Sequence, residues 1–134
     1  MIGLDTNVLV RSLMQDDARQ AVAATRLLES LTPDSPGFVT TVSLVELCWV
    51  LESAYGLTRE QVLEALEALL RTQELVVENA DSVWQAVRLF ASTRADFADC
   101  LIARVAVAAG CESVVTFDRA TARSGAMTLV SVAG

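Results

Sequence analysis

Histidine is absent from this chain of 134 residues, and so is lysine. Without histidine there is no Ser-His or Cys-His nucleophile and no imidazole-ligated metal. Without lysine there is no phosphate-binding loop of the GK[ST] type and no Schiff base. Cysteine is scarce: Cys48, Cys100 and Cys111 form no CxxC pair and lie inside or beside apolar helical stretches. All three are therefore expected to be buried free thiols, not zinc ligands. No apolar run approaches the roughly 18 residues that cross a bilayer. The opening Met1-Ile-Gly-Leu-Asp5 lacks the basic start and long apolar stretch of a secretory signal, so the chain is expected to be cytoplasmic.

Ten basic residues, all arginine, face seventeen acidic ones, a formal net charge of −7. Such a protein gains little long-range attraction for nucleic acid, so phosphate contacts must come from a bound cation and a few placed arginines. The length fits one domain, expected over residues 1–134 and able to bury roughly two-thirds of its unfolded surface. Hydrophobic residues make up 53% and the mean hydropathy is +0.45, more apolar surface than one small core hides. A protein partner or a homodimer is expected to cover the remainder.

Short apolar strands alternate with helical patterns, and there is no linker, repeat or low-complexity tract. Strands are expected at 2–4, 38–40, 75–78, 114–117 and 128–132. Helices are expected at 6–14, 18–31, 43–55, from Thr58 to about 71, 82–93 and 97–109. Thr58 with Gln61 forms a capping box, and Gly56 and Gly110 end the helices before them. Strands separated by helical crossovers predict an α/β, three-layer α/β/α domain with a mostly parallel sheet covered on both faces. Trp49 and Trp84 stand among apolar helical neighbours and are expected in the core, not as base-stacking platforms.

The acidic residues Asp5, Glu46, Asp99 and Asp118 stand where a strand hands over to a helix or within a helix's first turns. Each has an ordinary structural use. Asp5 and Asp118 suit N-caps, Glu46 completes a capping box with Ser43, Asp96 suits a cap, and Asp99 favours the positive end of a helix dipole. In an open parallel sheet, however, strand ends and the following helix starts share the edge where ligands bind. Capping contributes about 1 kcal/mol, whereas two carboxylates roughly 5 Å apart repel by about 3 kcal/mol at an effective dielectric near 20. Clustered acids thus call for a cation. Oxygen ligands without histidine or cysteine select Mg²⁺ or Mn²⁺, and that chemistry points to phosphodiester hydrolysis.

At these residues the chain resembles the PIN-domain ribonucleases, and among them the VapC toxins of bacterial toxin–antitoxin pairs. The likeness rests on Ile-Gly-Leu-Asp5-Thr-Asn-Val-Leu, Thr41-Val-Ser-Leu-Val-Glu46-Leu, Asp96-Phe-Ala-Asp99-Cys-Leu-Ile-Ala103 and Val115-Thr-Phe-Asp118-Arg119, in that order over nearly the whole length. It implies a five-stranded sheet of order 3-2-1-4-5. It also implies an acidic quartet of Asp5, Glu46, Asp99 and Asp118, with Asp5 and Asp99 the direct Mg²⁺ ligands and Asp96 a lesser candidate. Thr6 and Asn7 are candidates for contacting phosphate, as is Arg119, although helix initiation and a solvated surface position are their ordinary roles. The implied partners are RNA and a VapB-like antitoxin lying across the acidic site, expected at helices 18–31 and 59–71. Two other readings stand beside the toxin: a PIN-type nuclease of RNA maturation or DNA processing, and a non-catalytic interaction module whose acids only cap helices.

Overall fold

The computed structural model describes residues 1–132, so the last two positions of the expected domain lie outside the described residues. The chain divides into two compact units, 1–80 and 81–134. No helix among the described residues is long and apolar enough to cross a membrane.

The first unit is built as β1 (Ile2–Gly3), α1 (Thr6–Met14), α2 (Ala18–Ser30), β2 (Gly37–Val39), α3 (Thr41–Ser53), α4 (Arg59–Arg71) and β3 (Leu75–Val77). Its strands are all parallel in the order β1-β2-β3, with Ile2 opposite Gly37 and Phe38 opposite Val76. Helical pairs fill both crossovers, as parallel pairing requires. Leu4, Leu9, Val39, Leu44, Leu47, Leu51, Val62 and Leu66 are buried, and form the core. Gly37 is needed where β2 meets that core: a Cβ there would stand 2.8 Å from Leu4 Cδ1 and 3.0 Å from Leu31 Cδ1.

Helix starts in this unit follow the side-chain chemistry. Asp17 caps α2, and Thr58 with Gln61 forms the expected capping box of α4. At α3 the structure corrects the sequence reading. Thr40, not Ser43, is the N-cap, so Glu46 lies in the second turn and closes no capping box. Glu78, just past β3, accepts hydrogen bonds at Oε1 from the Thr41 N–H and hydroxyl, both at 3.0 Å, and satisfies the helix start from across the sheet. Those two donors hold the Glu78 carboxyl below its ordinary pKa.

The second unit carries most of α5 (Ala80–Ser92), then α6 (Phe97–Ala108), β4 (Val115–Thr116), α7 (Arg119–Arg123) and β5 (Thr128–Leu129). β4 and β5 are parallel, with Val115 opposite Thr128. Among the described residues the strands pair as two sheets, 3-2-1 in the first unit and 4-5 in the second, where one five-stranded sheet was expected; strands of two or three residues offer few backbone groups to extend the ladder. Phe90 and Phe97 are buried, and their rings meet edge to face with centroids 6.2 Å apart. β4 is shorter than expected because the Thr116 hydroxyl accepts the Asp118 N–H at 3.0 Å, folding the chain into a turn before the strand can continue. Phe117 is left 73% exposed, and Val115 and Leu129 are exposed too, so this pair is not covered on both faces.

Two further expectations are overturned. Trp49 is 69% exposed on α3, where Leu44, Leu47, Cys48 and Leu51 take the inward face. Trp84 is half-buried. Cys48 and Cys100 are buried and in no disulfide, but Cys111 is exposed because it follows Gly110, whose φ of 102° turns the chain out of α6.

Candidate active site

In the first unit the structure brings Asp5 and Glu46 together. Asp5 caps α1 and accepts the Thr6 N–H at Oδ1, 2.8 Å away. The buried Thr6 hydroxyl in turn donates to Glu46 Oε1 at 3.0 Å, joining the start of α1 to α3 across forty positions of sequence. Thr6 thus orients a carboxylate, where the sequence reading gave it a candidate contact with phosphate. Asp5, Thr6, Asn7 and Glu46 line a cavity of about 590 Å³ that also receives Arg11 and Tyr55.

In the second unit Asp96, Asp99 and Asp118 line another cavity, of about 670 Å³. Asp96 caps α6, accepting the Asp99 N–H at 2.8 Å. Asp118 caps α7, its Oδ1 accepting the N–H groups of Ala120 and Thr121 at 2.8 and 3.1 Å. The buried Thr121 hydroxyl donates to Asp99 Oδ2 at 3.2 Å, so one residue touches both carboxylates. Loss of hydration raises the Asp99 pKa above its ordinary value, and the charges of Asp96 and Asp118 raise it further against the Thr121 hydrogen bond. The lining includes Arg94 and Arg123, whereas Arg119 is exposed and is not part of it.

The same pattern recurs in both units. One oxygen of each of Asp5, Glu46, Asp99 and Asp118 accepts a protein N–H or O–H. The ion pairs Arg11–Asp16 and Arg71–Glu67 involve none of the four. No group of three or more Asp, Glu or Cys side chains among the described residues stands ready to hold a metal ion. The donor chemistry, anchored carboxylates with no imidazole or thiolate, nevertheless suits a hard divalent cation.

Sequence reasoning missed Thr121, Arg11, Tyr55, Arg94 and Arg123. Thr121 is the only one with a local signal, since it stands three residues after a capping Asp; its reach to Asp99 spans 22 positions and comes from tertiary packing.

Comparison with known proteins places the chain in a family. A family model described as "PIN domain" matches residues 2–126, spanning both units. The chain is also similar to a VapC ribonuclease of Aquifex aeolicus (strain VF5), 28% identical over 126 residues that make up 94% of this chain and 93% of that protein. With the fold's parallel strands, its acids placed at helix starts and a match over nearly its full length, the chain belongs to the PIN-domain family.

Proposed function

We propose that this protein is a Mg²⁺-dependent endoribonuclease, the toxin of a VapBC-type toxin–antitoxin pair, acting as one domain over residues 1–134 in the cytoplasm. The observation that carries the reading is the pairing of acids in each unit: Asp5 with Glu46 through Thr6, and Asp99 with Asp118 through Thr121. The likeness to a VapC ribonuclease over 94% of the chain supports the choice of RNA as substrate.

Asp5 and Asp99 are the direct ligands in this reading, and Glu46 and Asp118 complete the shell or orient the attacking water. When bound, Mg²⁺, or Mn²⁺ in its place, supplies Lewis-acid charge to the scissile phosphate and lowers the pKa of a water for in-line attack on phosphorus. Thr6 and Thr121 fix the carboxylate rotamers, so that little reorganisation accompanies the change in charge. Asp96 serves first as the cap of α6.

A VapB-like antitoxin would regulate the enzyme by covering the acids, and release of the toxin would stop translation by cutting RNA. Exposed apolar side chains suited to this antitoxin or to a second copy are Val22 on α2, Val42 and Trp49 on α3, and Ile102 and Val105 on α6. Helix α4, one of the two expected docking helices, exposes no large apolar side chain among the described residues. We assign these faces to antitoxin binding and homodimer formation jointly.

The test is expression alone and together with any small antitoxin-like protein encoded beside it, followed by mapping of RNA ends. Growth arrest and discrete new ends, both abolished by Asp5→Asn or Asp99→Asn in proteins that still melt cooperatively, are expected. Unchanged cleavage in both variants would defeat the assignment. A non-catalytic module would give no new ends, and a maturation or DNA-processing nuclease would act without an antitoxin neighbour.

A further inference from the structure

A polyanion approaching the first unit's cavity meets Asp5, Glu46 and Asp16 on a protein of net charge −7. Arg11 is the one cation among its lining residues. Its guanidinium is held by neighbours from three directions. Nε donates to Gln20 Oε1 on α2 at 2.6 Å, and Nη1 donates to Asp16 Oδ1 at 3.1 Å and to the Tyr55 hydroxyl oxygen at 3.2 Å. The Tyr55 hydroxyl in turn donates to Asp16 Oδ2 at 2.7 Å, so both Asp16 oxygens are occupied. Gln15 ends α1 with φ of 55° and so turns Asp16 back toward the helix it has just left.

Among the described residues this scaffold uses Nε and Nη1 and leaves both N–H groups of Nη2 over. An exposed ion pair contributes little to stability. What three partners around a half-buried guanidinium do achieve is to remove its rotamer freedom and fix the direction of the remaining donors. A fixed fork of this kind matches phosphate oxygens, and less ordering is needed when the ligand arrives.

We propose that Arg11 is a substrate-binding residue whose Nη2 donors grip a backbone phosphate of single-stranded RNA in the Asp5–Glu46 cavity, with Asp16 and Tyr55 as its positioning residues. The assignment rests on the ribonuclease reading above and adds to it the group that registers the strand.

The test uses the full chain and a short labelled single-stranded RNA, with binding followed by fluorescence anisotropy in EDTA over about 50–200 mM salt. Arg11→Gln should weaken binding about tenfold and make the slope of log K against log salt shallower by about 0.7, the share of one phosphate contact on a single strand. Arg11→Lys, which keeps the charge and loses the fork, should restore the slope while binding more weakly than the wild type. Tyr55→Phe should weaken binding with the slope unchanged, as expected of a group that only positions the cation. Melting curves for each variant separate these effects from loss of fold. Wild-type affinity and slope in a folded Arg11→Gln would overturn the inference, as would weakened binding that Arg11→Lys fails to restore in slope. RNA cleavage with Mg²⁺ at equal KM by wild type and Arg11→Gln would overturn this inference and leave the ribonuclease reading intact. Absence of both binding and cleavage in the wild type would overturn the two together.

Discussion

Replacing Asp99 by asparagine should make the metal-free protein more stable at neutral pH. Asp99 is desolvated in part, faces Asp96 and Asp118, and has a pKa raised above its ordinary value. Below both the folded and unfolded pKa the carboxyl is protonated in either state and carries no penalty. As pH rises through the raised folded value, ionisation becomes costlier in the folded protein than in the unfolded chain, and the cost persists at pH 7. Because the group is half-buried and keeps part of its hydration, its like-charge contacts are screened, and the penalty is about 0.5 kcal/mol. Asparagine keeps the shape and an oxygen for the Thr121 hydroxyl, so the variant should melt ~2 °C above the wild type at pH 7. The gap should close near about pH 3, where the wild-type carboxyl is neutral. Saturating Mg²⁺ should reverse the ranking, since binding at a hundred times Kd adds about 2.7 kcal/mol to the wild type and far less to a variant lacking a ligand. Thermal denaturation at two pH values with and without Mg²⁺ provides the measurements. A variant that melts below the wild type at pH 7 without metal, or a gap that persists in acid, would refute the electrostatic account.

Other predictions test the surrounding structure. Thr121→Val removes the hydroxyl that fixes Asp99 and should cost about 1 kcal/mol in denaturant unfolding and lower kcat more than it raises KM. Phe97→Ala empties a fully buried site opposite Phe90 and should destabilise by about 3–5 kcal/mol, which urea titration would register. Trp49→Ala lies on the open face of α3; it should change unfolding free energy by no more than about 0.5 kcal/mol, while analytical ultracentrifugation alone or with antitoxin shows weakened association.

Helix starts are readable because a capping side chain and the N–H group it accepts are close in sequence: the box of Thr58 with Gln61 and the caps Asp96 and Asp118 appear as anticipated. The parallel strands follow from apolar triplets spaced by helical patterns. Glu46 is misleading in sequence because Ser43-Leu-Val-Glu46 imitates a capping box, and the competing cap at Thr40 is reinforced by Glu78 from beyond another strand. Trp49 is misplaced by its pattern because α3 is apolar nearly all round, so the sequence names no outward face. Arg11 is hidden for a similar reason. Its partners Asp16 and Tyr55 lie 5 and 44 positions away, and only folding makes them neighbours.

That Asp5 and Asp118 each close a helix start as well as lining an acidic cavity has a consequence for mutagenesis. Truncation to alanine would unravel the first turn, at about 1 kcal/mol, together with the chemistry, so a dead alanine variant confounds architecture with reactivity. Asparagine caps as well as aspartate does and carries no charge. At these two positions an Asp→Asn exchange is therefore the probe that separates a failed enzyme from a frayed scaffold.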